Sequence, residues 1–237
     1  VIAQALLEFG RGVYRWTVDE IAVDADGAEV VAASPTFLLA VGDGAVLATG
    51  SDGTRLHLAG GEAAFRYTGA STNVAGAGAA AMTVMAIAVD DGADADATAM
   101  TPGAGLHDVD LVRDVLTIGE TLTLDAPVGA FVVVIAGTVI GGDGESLATG
   151  DTATRSGELT LTNDAERPAI VVAAVIGPTV AHDDLAPASP ATPADDGTST
   201  DSGEPGGSVD SGEPAGSGDE TTDGAAPSGA TDDTTAP

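Results

Sequence analysis

The residues of this chain that could do chemistry are few: three histidines, 37 acidic side chains, seven arginines, no lysine and no cysteine. Without cysteine there are no disulfides, thiolate metal sites or cysteine nucleophiles. Without lysine there is neither a Schiff-base lysine nor a phosphate-binding loop of the Walker type. The formal net charge of −30 makes nucleic acid and anionic membrane surfaces unsuitable partners, because phosphate contacts need basic side chains.

The three histidines, His57, His107 and His182, are dispersed along the chain. A first-row metal site usually needs two or three imidazoles that converge with a carboxylate, so this dispersal argues against one. His57 alternates with two leucines and is predicted to point to solvent. His107 lies beside two aspartates and is predicted to be a solvated loop residue, with a weak metal ligand as the alternative. His182 is assigned no role.

Other motifs give no stronger signal. Residues 90–96 supply four carboxylates without the EF-hand spacing, so adventitious cation binding is the most that they indicate. Residues 141–147 resemble a single calcium-binding nonapeptide, but such sites need tandem copies, and a hairpin turn is favoured. Paired carboxylates for glycoside hydrolysis remain open, although one Trp and two Tyr offer few platforms for a sugar. The sequence thus assigns no catalytic, cofactor-binding or metal-ligating residue, and no cofactor.

The elements that surround these residues are predicted to be β-strands. Hydrophobic residues make up 43% of the chain and aromatic residues only 3%, and short apolar runs are separated by Gly, Asp and Pro. Tyr14, Trp16 and Val18 alternate with polar residues, which is typical of a half-buried strand. No apolar run reaches the roughly 20 residues of a membrane-spanning helix. The fold class is therefore all-β. Further strands are predicted at 36–41, 45–49, 54–58, 63–68, 83–89, 109–118, 121–124, 131–136, 158–162 and 169–175.

The composition changes near residue 182. Residues 183–237 contain 13 acidic side chains, no basic one, and only Leu185 and Val209 as large aliphatic residues. Burial of this small apolar surface would not offset the conformational entropy that is lost on ordering. The segment is therefore predicted to be a disordered acidic tail. A spacer or solubilising role is its simplest interpretation.

Two stretches of the chain, residues 39–64 and 133–153, look alike. Each has an apolar strand, a glycine, a short second strand, an Asp-Gly turn and a Leu-Ala-x-Gly-acid corner. The turns are Asp52-Gly53 and Asp143-Gly144, and the corners end at Glu62 and Asp151. The chain therefore contains a duplicated unit, with a two-residue difference in length between turn and corner.

This unit resembles the cupin superfamily, whose small β-barrel has the same order of strand, glycine, tight turn and Gly-Asp corner. Two copies resemble a bicupin: two jelly-roll barrels in tandem, at residues 1–98 and 99–182, followed by the tail at 183–237. The resemblance implies a metal site built from a His-x-His, a Glu and a further His. Here the corresponding strands, at 37–41 and 131–135, are wholly apolar, and no His follows either corner. The metal-based activities are therefore not expected.

The leading functional hypothesis is a non-catalytic, metal-free binding or structural module that accepts a small apolar ligand. One alternative is a cupin-type isomerase or oxygenase, which would need His57 to point inward. A second alternative is an extracellular or cell-surface protein that uses the tail as a spacer, and a cytoplasmic location stays open. Because residue 1 is Val, a removed export signal is one interpretation of the start. Pairing through edge strands would allow a homo-oligomer.

Overall fold

A computed structural model describes residues 1–24, 26–78, 80, 82–92 and 99–181 of the chain. These residues form sixteen β-strands and no helix, which confirms the all-β prediction, and among them no helix long and apolar enough to cross a membrane occurs. The strands are β1 (Ala3–Phe9), β2 (Tyr14–Val23), β3 (Ala28–Val31), β4 (Thr36–Val41), β5 (Ala45–Gly50), β6 (Arg55–Ala59), β7 (Ala63–Arg66), β8 (Ser71–Gly76), β9 (Met82–Asp91), β10 (Ala99–Met100), β11 (Gly105–Leu116), β12 (Thr121–Ala136), β13 (Thr138–Gly141), β14 (Ser146–Ala148), β15 (Thr152–Thr162) and β16 (Ala169–Thr179).

The strands form three antiparallel sheets. A seven-stranded sheet has the order β1-β11-β16-β12-β15-β13-β14, a five-stranded sheet the order β10-β2-β9-β4-β7, and a four-stranded sheet the order β3-β8-β5-β6. We call β2–β9 the first repeat and β11–β16 the second repeat. Five successive strands of the two larger sheets correspond, because β10, β2, β9, β4 and β7 occupy the positions of β1, β11, β16, β12 and β15.

Two strands, β1 and β10, lie outside the repeats in the chain, and each adds an edge strand to one of the two larger sheets. β1 precedes the first repeat but pairs with β11 of the second, from Ala3 opposite Leu111 to Phe9 opposite Gly105. β10 follows the first repeat and pairs with β2, with Met100 opposite Tyr14. The sequence does not predict β1. By pairing with β11, this strand brings the start of the chain into the same sheet as β16, the last strand.

Three apolar clusters fill the molecule. One contains residues of the four-stranded and five-stranded sheets and is the core of the first repeat. A second consists of residues of β11–β16 only and is the core of the second repeat. The third joins the five-stranded sheet to the seven-stranded sheet, and we call it the central core. Within the central core the rings of Trp16 and Phe131 stack at a centroid distance of 5.7 Å, and they come from different repeats.

The central strands of the two repeats are buried on both faces. On β4, Phe37 and Leu39 face the central core, while Leu38 faces the core of the first repeat. On β12, Phe131 belongs to the central core and Val132 to the core of the second repeat. A strand that is covered on both faces needs a continuous apolar run instead of an alternating one. This explains why the segments at 37–41 and 131–135 are wholly apolar.

β12 differs in length from the sequence prediction. The segments 121–124 and 131–136, predicted as two strands, belong to one strand of 16 residues. Its pairing with β15 shifts register between Ala126 and Ala130, the stretch that contains Pro127, which has no backbone N–H to donate. Pro127 marks an irregularity inside the strand and does not end it.

Candidate functional site

Both repeats close their hairpins with the same aspartate turn. The backbone N–H of Thr54 donates to Oδ1 of Asp52 over 2.9 Å, and the backbone N–H of Glu145 donates to Oδ1 of Asp143 over 3.1 Å. The backbone N–H of Thr54, followed by its hydroxyl, holds the pKa of Asp52 below its ordinary value. The predicted hairpin at 141–147 is thus confirmed. In each turn, the Asp side chain stabilises the turn by accepting a backbone N–H two residues later.

The two corners also share their hydrogen bonds. The carboxylate of Glu62 accepts the backbone N–H of Ala59 over 2.8 Å, and that of Asp151 accepts the backbone N–H of Ala148 over 2.8 Å. In each corner the backbone N–H of the acidic residue donates back to the same alanine, over 2.9 Å. The acid at each corner therefore closes a backbone loop, and both carboxylates are engaged with their own corner.

The interiors of the repeats do not fit the metal that the cupin resemblance implies. The side chains that face the two repeat cores from the central strands are Leu38 and Ala40 on β4 and Val132 and Val134 on β12. None of them carries a nitrogen or oxygen ligand atom, and a metal ion needs several. Within the described part of the chain, no three His, Asp or Glu side chains are grouped so that they could hold a metal ion.

The second repeat contains a cavity that opens to solvent. Its volume is about 140 Å³. The floor is apolar and consists of five buried side chains of the second core: Val132, Leu147, Ala153, Leu159 and Leu161. The rim is polar and includes Asp143, Arg155, Ser156, Glu158 and Thr160. An apolar floor beneath a few polar groups is the usual composition of a small-ligand site.

Arg155 is fixed across this rim. Its guanidinium lies 3.1 Å from Oδ2 of Asp143 and also contacts the carboxylate of Glu145. A further N–H of Arg155 donates to the carbonyl oxygen of Thr154 over 2.9 Å. Since two carboxylates already neutralise this guanidinium, and Glu158 adds a further negative charge to the rim, an anionic ligand is disfavoured there.

The corresponding end of the first repeat is arranged differently. Arg66 occupies the position of Arg155, four residues after the corner acid, but it donates to Oγ1 of Thr72 and to the carbonyl oxygen of Phe65, both over 2.9 Å. The groove beside Arg66 is lined by residues of β7, β8 and the turn at Asp52, and its lining includes no large aliphatic side chain of the first core. It therefore does not open into that core as the cavity of the second repeat does.

The histidines differ from expectation at one position. His57 is exposed on β6, which confirms the prediction that it points to solvent. His107, in contrast, is buried at 1% exposure within β11, so the prediction of a solvated loop residue was wrong. The strand β1 covers this region, because Leu7 pairs with His107 and the ring of Phe9 packs edge-on against the imidazole. His182 lies outside the described residues.

The ring of His107 bridges two backbone segments. Nδ1 lies 2.9 Å from the carbonyl oxygen of Gly177, and Nε2 lies 2.9 Å from that of Gly103. A neutral imidazole donates to one of these oxygens, and a protonated imidazole donates to both. His107 thus ties β16 to the segment before β11, and this use of both nitrogens leaves none for a metal ion. Of the acidic segment 90–96, residues 93–96 lie outside the described residues.

Sequence reasoning missed two features of this region. The alternation of Ala5, Leu7 and Phe9, which are buried while the residues between them are exposed, was a usable signal for β1. The cavity had no such signal, because its floor combines residues from three different strands. Of the candidate carboxylates for glycoside chemistry, Asp143 and Glu158 both line the rim, and Asp143 is paired with Arg155.

The fold is similar to solved structures of several bacterial proteins. YhaK from Escherichia coli aligns over 71% of this chain and 92% of its own, with 17% identity and a TM-score of 0.49. Quercetin 2,3-dioxygenase from Acinetobacter baumannii aligns over 70% and 72%, with 15% identity and a TM-score of 0.46. A cupin 2 conserved barrel domain protein from Leptotrichia buccalis aligns over 73% and 89%, with 8% identity and a TM-score of 0.38.

The last of these proteins carries the name of the superfamily that the sequence resemblance indicates. No protein-family model matches the chain, and no curated protein matches it. A shared fold does not imply a shared activity, so the activities of these proteins are not assigned to this chain.

Proposed function

We propose that this chain is a non-catalytic binding module of two tandem cupin-like barrels, in which the second barrel takes a small, mainly apolar, uncharged ligand. The observation that carries the proposal is the cavity of the second repeat, with its apolar floor and polar rim. The corresponding order of five strands in the two larger sheets supports the tandem arrangement.

The size of the cavity limits the ligand. Its volume of about 140 Å³ is close to the roughly 150 Å³ of engineered apolar cavities that bind benzene. We therefore expect a ligand with about the dimensions of one aromatic ring. Polar residues at the rim, Ser156 among them, can hydrogen-bond a single polar substituent, and the negative charges of Asp143 and Glu158 oppose an acidic one.

The proposal is tested by titrating the protein with toluene, phenol and benzoate, followed by two-dimensional NMR. Toluene and phenol are expected to bind saturably and to shift the signals of the cavity residues Ala153 and Leu161, while benzoate leaves those signals unchanged. In Ala153→Leu the larger side chain fills the floor, and binding should weaken at least tenfold. The matched control is Ala64→Leu, at the corresponding position of the first repeat, which should leave binding intact. Equal binding to Ala153→Leu and the unaltered protein would overturn the proposal.

Metal content gives an independent check. The apolar side chains at the expected ligand positions predict that purified protein carries no stoichiometric iron, manganese or zinc by elemental mass spectrometry. The enzyme alternative required His57 to point inward, and His57 is exposed. Stoichiometric metal that resists dialysis would reopen that alternative.

We also propose an extracellular role for the acidic segment 183–237 as a spacer, on the ground of its composition. A chain shortened to residues 1–182 tests this role. It should keep toluene binding and thermal stability but lose surface localisation, measured by fractionating the cells that express it. Unchanged localisation would reject the spacer role and leave the binding proposal untouched.

A further inference from the structure

A second site is suggested by Arg113, which lies on β11 and points toward the central core. The alternate residues Val109 and Leu111 on the same face belong to that core. The guanidinium of Arg113 rests against the corner of the first repeat: a Cβ atom added to Gly61 would lie 2.9 Å from Cζ of Arg113. Arg113 therefore spans from the second repeat to the first, at a position that only a glycine leaves open.

Arg113 differs from the other half-buried arginines in what it contacts. Arg66 and Arg155 donate to oxygen atoms, and Arg15 also has an interaction partner. Among the residues that the structure describes, Arg113 has neither a hydrogen bond nor an ion pair. A guanidinium stays charged and offers five N–H donors, and no nitrogen of Arg113 is among the buried polar atoms that lack a partner. These donors therefore face the groove and solvent, where a bound anion can accept their hydrogen bonds.

A groove of about 340 Å³ lies beside Arg113, at the junction of the two repeats. Its apolar walls are Leu39 and Val41 of β4, Ile135 of β12 and Ile170 of β16. This volume falls in the range of roughly 300 to 1,000 Å³ that is usual for small-molecule sites. The groove thus combines one cation with aliphatic walls from both repeats.

The positive charge is specific to this groove. In register, Arg113 lies opposite Val172 on β16, and the corresponding position on β2 is Glu20, opposite Met85 on β9. The repeated fold therefore does not require an arginine there. Among the described residues that line the groove, Asp43 is the one acidic residue; it is exposed and makes no ion pair with Arg113.

From this geometry we propose that the groove binds a small monocarboxylate with an aliphatic chain. The carboxylate pairs with the guanidinium of Arg113, which matches its two oxygens with two parallel N–H donors. The aliphatic chain lies along Leu39, Val41, Ile135 and Ile170. The site is separate from the cavity of the second repeat, whose acidic rim selects against anions.

The test uses the full-length protein and sodium hexanoate, with binding measured by isothermal titration calorimetry. Hexanoate is expected to bind saturably, acetate at least tenfold more weakly, and neutral hexanamide at least tenfold more weakly. Arg113→Gln should weaken hexanoate binding at least tenfold, and Arg113→Lys less, since lysine keeps the charge but not the fork. Arg55→Gln, on the exposed strand β6, makes the same charge change elsewhere and should have no effect.

A second variant keeps the charge and blocks the space. Ala136→Leu places a larger side chain in the groove and should also weaken hexanoate binding at least tenfold, which holds even if Arg113→Gln impairs folding. Hexanoate binding that persists in Ala136→Leu, or no saturable binding to the unaltered protein, would overturn the proposal. Loss of hexanoate binding in Ala153→Leu alone would assign hexanoate to the cavity of the second repeat, and would also overturn it.

Discussion

The two repeats share a backbone scaffold but differ in what fills and closes it. Their turns and corners make equivalent hydrogen bonds, through Asp52 and Asp143 in the turns and through Glu62 and Asp151 in the corners. Yet the cavity of the second repeat is lined by large aliphatic side chains of its own core, whereas the groove beside Arg66 in the first repeat is not.

This difference shows which parts of the unit carry the fold. The turns and corners are determined by short-range backbone contacts, so they persist while the core side chains change. The cores are filled by side chains from several strands, and a loss of volume there leaves a cavity without altering the scaffold. Binding function in this molecule is thus expected to lie in the filling of the second repeat and at the junction between repeats.

The corner of the first repeat should tolerate substitution by alanine less well than the corner of the second repeat. A Cβ atom on Gly60 would clash with the carbonyl oxygen of Gly42, whereas the corresponding corner position of the second repeat is Thr149. Gly60→Ala must displace backbone, and we expect it to lower the free energy of unfolding by about 3 kcal/mol. Thr149→Ala loses one exposed hydrogen bond and should cost about 0.5 kcal/mol. Urea unfolding of both variants measures the contrast, and equal losses would contradict it.

Replacing the buried His107 should lower the free energy of unfolding more than replacing Tyr14, which occupies the corresponding position of the first repeat. His107 and Tyr14 both pack edge-on against Phe9, but His107 contacts two carbonyl oxygens, while the hydroxyl of Tyr14 accepts one backbone N–H from Gly10. His107→Phe leaves buried carbonyl groups unpaired and should cost about 2 kcal/mol, against about 1 kcal/mol for Tyr14→Phe. Thermal unfolding of the two variants checks this order, which the reverse ranking would refute.

The same small-to-large change should have opposite effects in the two cores. Ala64→Leu overfills the core of the first repeat and is expected to cost about 2 kcal/mol. Ala153→Leu fills the cavity of the second repeat and should change the free energy of unfolding by less than about 1 kcal/mol. Chemical unfolding compares them. If both variants are equally destabilised, the cavity is too small to accept a side chain, and the comparison between the cores fails.

The smallest expected effect is a pH dependence at Asp108. Burial raises the pKa of this carboxyl above its ordinary value, and the neighbouring carboxylate of Asp110 adds to the rise. The native state therefore binds more protons than the unfolded chain between the two pKa values, so the free energy of unfolding falls as the pH rises through that interval. Asp108→Asn should remove this fall and slightly stabilise the protein at neutral pH.

Urea unfolding at several pH values from 3 upward measures the effect of Asp108→Asn. The control is Asp164→Asn, at an exposed turn of the second repeat. A pH dependence that is unchanged in Asp108→Asn, or equally reduced in Asp164→Asn, would contradict the assignment. The residue of the first repeat that corresponds to Asp108 is Arg15, which has no carboxyl group. This pH dependence is therefore expected from the second repeat only.

The local parts of the structure could be predicted from the sequence. The turns at Asp52 and Asp143 follow from the conformational preferences of Asp-Gly pairs, and the exposure of His57 follows from strand alternation. The burial of His107 could not be predicted in the same way, because it depends on pairing with β1, about one hundred residues earlier in the chain. The cavity and the groove at Arg113 likewise arise from side chains that only the tertiary fold brings together.

The most direct test of the central claim is a crystal structure of the protein under xenon pressure. Xenon enters apolar cavities of this size and is visible by its anomalous scattering. We predict one xenon site in the core of the second repeat, against Ala153 and Leu161, and none in the core of the first repeat. Xenon in the core of the first repeat alone, or a metal ion bound inside either repeat, would contradict the account.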